Sequence, residues 1–74
     1  MAWIRLTLHA AADLVRLQLT ITDVVRVLSD FDTRESDSGD SGMYRTGLML
    51  GERRIFVVFT TIGEELRVIA VREE

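Results

Sequence analysis

Residues 47–74, GLMLGERRIFVVFTTIGEELRVIAVREE, decide the fold of this chain of 74 residues. Two turn segments, Gly51-Glu52 and Ile62-Gly63-Glu64, divide the stretch into runs of the length of β-strands. We therefore predict three strands in an antiparallel meander, at about 43–50, 54–61 and 65–72. The middle run, residues 55–59 (IFVVF), is apolar at every position, so both faces of that strand must be covered.

The residues before this stretch predict one strand and two helices. Residues 2–8 alternate roughly between polar and apolar side chains, which is typical of a strand. An alanine- and leucine-rich helix is predicted at about 9–18, and a second helix ends at about Phe31. Thr20 and Asp23 have the spacing of a capping box at its start. The predicted fold is α+β, with the order β-α-α-β-β-β and two N-terminal helices packed on one face of a small antiparallel sheet.

Residues 33–42 (TRESDSGDSG) form the one segment of low hydrophobicity. We predict a mobile, acidic surface loop there, within a single domain that spans residues 1–74. The two helices cover one face of the sheet, and the chain has little left to cover the other. The second face and the sheet edges are therefore predicted to receive a partner protein or a second copy of the chain, which would form a homodimer.

The composition argues against several kinds of site. The chain has no cysteine and one histidine, so neither disulfides nor a structural zinc site is expected, and no cofactor motif is found. The net charge of −3 argues against general polyanion binding, but all nine basic residues are arginines, which suit a local phosphate or carboxylate site. No apolar segment reaches the roughly 20 residues of a membrane span, and no signal segment opens the chain. We predict a cytoplasmic protein without membrane contact.

Several segments resemble the BrnT family of bacterial toxins. The closing segment 66–72 (LRVIAVR) is similar to that family's Ile-Arg-Ile-Ile-Ser-Ala-Arg strand, and 57–60 (VVFT) followed by Gly63 resembles its Val-Val-Tyr/His-Thr and glycine turn. Residues 19–24 (LTITDV) and 27–30 (VLSD) resemble its second helix. His9-Ala10, followed later by Asp23-Val24, is also similar to a sister family of small, uncharacterised bacterial domains. The resemblance covers nearly the whole chain.

The resemblance implies a RelE-like fold and, in the active members, an endoribonuclease that cleaves messenger RNA and is covered by a cognate antitoxin. This chain departs from the family pattern at three places. The Lys-His-Gly before the second helix is Arg16-Leu17-Gln18, the helical arginines of the sister family fall on Asp13 and Leu17, and the strand serine is Ala70. The expected function is that of a toxin-like protein, either an endoribonuclease or a catalytically degenerate descendant.

Metal-independent RNA cleavage needs a base for the 2′-hydroxyl, an acid for the leaving oxygen and cations for the charge on the phosphate. His9 is the candidate base because histidine ordinarily titrates near neutral pH, and Asp13, one helical turn later, is placed to orient its ring. Arginines on the last strand and the first hairpin strand would hold phosphate. The candidate catalytic residues are His9, Arg67 and Arg72, and the candidate substrate-binding residues are Tyr44, Arg45 and Arg16.

Each candidate also has a purely structural interpretation. The histidine, the aspartate and the arginine of the first helix would form an ordinary solvated face, and the tyrosine would pack its ring against the sheet. The strand arginines would form cross-strand pairs with carboxylates such as Glu52, Glu65 and Glu73. The alternative function is a non-catalytic interaction module that binds a protein partner, or itself, through its sheet.

Overall fold

The computed structural model describes residues 3–36 and 42–74, and within these ranges it contains a five-stranded sheet and two helices. In chain order the elements are β1 (Trp3–Leu6), α1 (Leu8–Leu17), α2 (Ile21–Asp30), β2 (Thr33–Ser36), β3 (Met43–Leu50), β4 (Arg53–Ile62) and β5 (Glu65–Glu73). The predicted α+β class is confirmed, with both helices packed on the sheet.

The meander forms as the sequence predicts. Strands β3, β4 and β5 pair antiparallel in that order, and β4 lies at the centre of a sheet ordered β1-β5-β4-β3-β2. Gly51 and Gly63, in the two turns, have φ angles of +66° and +61°, in the left-handed region that favours glycine. These two positions explain why the chain reverses where it does.

The direction of β1 differs from the prediction of a fully antiparallel sheet, because β1 pairs parallel with β5. The backbone N–H of Trp3 donates to the Glu64 carbonyl, and that of Thr7 donates to the Val68 carbonyl. Alternation of side chains is the same for a parallel and an antiparallel neighbour, so the sequence pattern did not distinguish them. The parallel direction brings the end of β1 to the place where α1 begins and packs on β5.

The prediction of a loop over residues 33–42 was wrong for its first four residues, which form β2 at the sheet edge. β2 is exposed along its whole length and pairs antiparallel with β3, where Glu35 lies opposite Arg45. Local composition gave no sign of a strand, because pairing and an ion pair with a distant segment stabilise it. Residues 37–41 of the predicted loop lie outside the described residues, and Gly42 lies in a turn before β3.

Both helices begin at threonine caps. The hydroxyl of Thr7 accepts from the Ala10 N–H at the start of α1. At the start of α2 the predicted capping box is present, since Thr20 accepts from the Asp23 N–H and Asp23 accepts from the Thr20 N–H. The helices then bury one face each against the sheet. The shared core consists of Ala10, Leu14, Val24, Val27, Ile55, Val57, Val68 and Val71.

Candidate functional site

The face of the sheet without helices carries a set of arginines. Val57 and Val71 are opposite each other in the helix-covered core, so their neighbours Phe56 and Arg72, also opposite each other, point to the other face. Side chains alternate between the two faces along each strand, and paired residues on neighbouring strands share a face. These two rules place the other arginines of the set on this same face. We call this surface the arginine face, after Arg5, Arg45, Arg54, Arg67 and Arg72.

A bulge in β5 keeps the arginines of that strand on one face. The register between β4 and β5 shifts between Val58 and Phe59, which leaves Ile69 as the extra residue. Val68 before the bulge and Val71 after it can therefore both be fully buried under the helices. Arg67 and Arg72, which are separated by an odd number of positions, consequently point to the same face.

A buried aromatic ring forms the floor of the arginine face. Phe56 is only 7% exposed although no helix covers it. The guanidinium carbon of Arg45 lies 3.8 Å from the centroid of the Phe56 ring, and that of Arg54 lies 5.2 Å from it. The ring lies against Gly47, the residue opposite it on β3. At Phe56, the second face of the apolar strand is thus covered by arginine side chains of the same chain.

Two of the arginines make ion pairs at the β2 side of the face. Arg45 approaches Glu35 at 3.4 Å and Glu74 at 3.2 Å. Arg54 donates to both oxygens of Asp32, at 2.8 and 3.0 Å. The hydrogen bonds from Arg54 outweigh partial desolvation and hold the pKa of Asp32 below its ordinary value. This carboxylate therefore stays ionised at neutral pH.

The arginines of β1 and β5 are less completely neutralised. Glu65 lies 2.8 Å from Arg67 and 3.7 Å from Arg5, so a single carboxylate forms ion pairs with two guanidinium groups. Within residues 3–36 and 42–74, no carboxylate lies within 4.0 Å of the Arg72 guanidinium. The uncompensated positive charge of the face therefore lies towards β5 and β1.

The first helix carries a separate polar cluster around Asp13, which is 5% exposed. One Asp13 oxygen accepts from Arg16 at 2.8 Å, and the other accepts from the Val71 N–H at 3.0 Å and lies 3.4 Å from His9 Nε2. Burial acts to raise the pKa of the Asp13 carboxyl, but these donors outweigh it and lower the pKa. The cluster therefore ties α1 to the free edge of β5, beyond the end of β1.

Tyr44 packs on the helix side of the sheet. It lies opposite Phe59 on β4, with the two ring centroids 5.6 Å apart. The guanidinium of Arg34 lies 5.0 Å from the centroid of the tyrosine ring. Tyr44 thus belongs to an aromatic cluster beside β2, as its structural interpretation anticipated.

The six predicted site residues consequently fall into separate groups. Arg45, Arg67 and Arg72 lie together on the arginine face, whereas His9 and Arg16 are on α1 and Tyr44 is on the helix side. The contact observed for His9 is with Asp13, 3.4 Å away at the free edge of β5, and not with the two arginines proposed as its catalytic partners. Sequence reasoning missed Arg5 and Arg54, which lie on the same face as the predicted three. Two signals could have identified these two arginines. Arg5 alternates with Ile4 and Leu6 along β1, and the register of β4 with β3 places Arg54 on the same face as Arg45.

Among residues 3–36 and 42–74, no cluster of three or more histidine, cysteine, aspartate or glutamate side chains is arranged to hold a metal ion. Neither described helix is long and apolar enough to cross a membrane. Comparison with family models, with curated proteins and with solved structures found no match.

Proposed function

We propose that this protein is a toxin-like RNA-binding protein of the RelE type, which holds RNA on the arginine face. One observation carries the proposal: five of the nine arginines lie on one face of the sheet, although the protein has a net charge of −3. The resemblance of residues 66–72 to the BrnT closing strand supports it, because Arg67 and Arg72 both belong to that segment.

The chemistry of this face suits a phosphate backbone. Arginine offers planar, bidentate donors to phosphate oxygens and can also stack on bases. The four carboxylates that pair with these arginines leave the group with a formal charge of about +1, while the rest of the chain is acidic. Such a surface orients RNA towards one face of the molecule and repels it from the others.

The departures from the family pattern lead us to propose binding without histidine-dependent cleavage. His9 is the single histidine of the chain, and its Nε2 lies 3.4 Å from the Asp13 carboxylate. The Lys-His-Gly and the strand serine of the family pattern are replaced by Arg16-Leu17-Gln18 and Ala70. A general base would have to reach the 2′-hydroxyl of an RNA held on the arginines. We therefore infer a catalytically degenerate descendant of an endoribonuclease, with a cognate antitoxin as the partner that competes with RNA for this face.

The test is RNA binding by arginine variants, measured by fluorescence anisotropy with a single-stranded RNA. Arg72→Ala is expected to weaken binding by about fivefold to tenfold and to reduce the salt dependence of binding, because one phosphate contact is removed. Arg26→Ala, on the exposed surface of α2, is the matched control and is expected to change little. His9→Ala is expected to bind as the parent does.

Cleavage of messenger RNA is measured in parallel with the parent protein, His9→Ala, Arg67→Ala and Arg72→Ala. We expect no cleavage by any of them. Binding that Arg72→Ala and Arg26→Ala weaken equally would contradict the RNA-binding proposal. Cleavage that is lost specifically in His9→Ala would contradict the proposed loss of catalysis, while leaving RNA binding in place.

A second candidate function, a protein-interaction module, is favoured by exposed apolar residues on α1. Leu8 is 92% exposed and Val15 is 81% exposed, and their i, i+7 spacing places them on one side of the helix, facing away from the core. If this stripe binds a second copy, light scattering at micromolar concentration should give a dimer that Leu8→Ser with Val15→Ser converts to a monomer. A monomer for the parent would count against self-association.

A further inference from the structure

Two arginines lie directly opposite each other where β1 meets β5. Arg5 and Arg67 are paired in the parallel register, so their Cα atoms lie about 5 Å apart and both side chains point to the arginine face. Like charges at directly opposite positions destabilise a sheet. This arrangement is therefore unfavourable unless an anion lies between the two guanidinium groups.

Glu65 supplies only part of that anion. Its Oε2 accepts from the Arg67 Nε–H at 2.8 Å, whereas its Oε1 lies 3.7 Å from Arg5 Nη1, too far for a good hydrogen bond. The two terminal nitrogens of Arg67 and the whole guanidinium of Arg5 make no hydrogen bond among the described residues. Two cations and one carboxylate leave a local formal charge of +1 and several unused donors.

These donors face a cleft at the edge of the sheet. The cleft has a volume of about 400 Å³ and is lined by Arg5, Leu6, Thr7, Leu8 and Arg67. Its lining combines the two guanidinium groups with the turn that leads from β1 into α1. The space is sufficient for a group of the size of phosphate, which is far smaller than the cleft.

We propose that this cleft binds a phosphate group between Arg5 and Arg67, with Glu65 as the competing anion that limits its affinity. Phosphate presents several oxygens, so it can accept from both guanidinium groups at once, which the single Glu65 carboxylate does not do at the observed distances. The proposal therefore predicts that removing the Glu65 carboxylate strengthens phosphate binding. A substitution that only disturbed the fold would weaken binding.

The experiment is a titration with inorganic phosphate, followed by NMR through the arginine Nε–H resonances and the backbone amides. The resonances of Arg5 and Arg67 are expected to shift and saturate, while that of Arg26 on α2 does not. Arg5→Gln is expected to weaken phosphate binding by about fivefold, and Glu65→Gln to strengthen it by about fivefold, which is the scale of a single partly exposed charge. The amide spectrum of each variant reports directly that it is folded.

Phosphate binding here does not depend on RNA binding, because the probe is inorganic phosphate. Shifts that spread equally over the exposed arginines, or that sodium chloride of equal ionic strength reproduces, would overturn the proposal. Weaker binding by Glu65→Gln would also overturn it.

A short RNA added to the parent and to Arg5→Gln distinguishes the sources of the phosphate, since an RNA phosphate in the cleft predicts weaker RNA binding by the variant. If Arg5→Gln loses phosphate binding but binds RNA as the parent does, the cleft binds a free phosphate. The RNA-binding proposal then depends on Arg72 and not on the cleft.

Discussion

Replacing Asp13 with alanine is expected to lower the free energy of unfolding by about 2–3 kcal/mol, or roughly 10–20 °C in Tm for a domain of this size. Asp13 is buried, and one of its oxygens accepts from the Val71 N–H at 3.0 Å. Alanine would leave that buried donor without a partner, because β1 has ended here and no other described strand pairs with this edge of β5. The loss would also release Arg16 and His9, whose contacts are exposed and contribute less.

Chemical or thermal unfolding followed by circular dichroism measures this change. Asp30→Ala is the control, because Asp30 is exposed in the last turn of α2, and it is expected to change stability by less than about 0.5 kcal/mol. Asp13→Asn keeps an oxygen that can accept from Val71 but removes the charge, so it should retain about half of the stabilisation. An Asp13→Ala variant as stable as the control would show that the Val71 hydrogen bond contributes nothing.

The stabilisation by Asp13 should also depend on pH in a definite direction. Burial acts to raise the pKa of this carboxyl. The Val71 N–H, Arg16 and His9 together lower the pKa by more than burial raises it, so the folded pKa lies below the unfolded value of 3.8. The charge-dependent stabilisation is then fully present above the unfolded pKa and is lost as the pH falls through the folded pKa. The stability difference between the parent and Asp13→Ala should therefore shrink as the pH falls below about pH 4.

Replacing Gly47 with alanine is expected to cost about 1–3 kcal/mol, although alanine is ordinarily the better residue inside a strand. A Cβ at this position would lie 2.6 Å from Cε1 of Phe56 and 2.7 Å from Oγ1 of Thr33. The Phe56 ring cannot move aside easily, because Arg45 lies 3.8 Å from its centroid on the outer side. Gly47 has no positive φ, so the effect comes from these side-chain contacts and not from backbone strain.

A double-mutant cycle isolates this contact. Phe56→Leu removes the ring atoms that the new Cβ would meet, so Gly47→Ala should cost at least about 1 kcal/mol less in the Phe56→Leu background than in the parent. Urea unfolding of the four proteins measures the coupling. Equal costs of Gly47→Ala in the two backgrounds would mean that Thr33, and not the aromatic ring, sets the penalty. Thr33→Ala is then the variant that should relieve it.

Much of the fold follows from local patterns in the sequence. The turns at Gly51 and Gly63, the limits of β3 to β5 and the capping box at Thr20 were predicted closely, since each depends on residues only a few positions apart. The α+β class follows from the change between a helical period and a strand period. β2 could not be predicted in this way, because its exposed residues become a strand only by pairing with β3.

The candidate site was only partly predictable. The sequence suggested that Arg45, Arg67 and Arg72 belong together, and the register of the strands places all three on one face. It also suggested His9 as their catalytic partner, but the contact observed for His9 is with Asp13 at the edge of β5. An i, i+4 spacing brought His9 and Asp13 into contact as expected, since that distance is fixed by the helix alone.

The sequence by itself determined the helices, the meander and the apolar character of β4, because period, glycine turns and caps act between near neighbours in the chain. Tertiary structure decided the parallel direction of β1, the strand at 33–36 and the convergence of five arginines on one face. It also decided that the second face of β4 is covered by Arg45 and Arg54 over Phe56. These features depend on register and direction between distant segments, and packing around the shared core sets both.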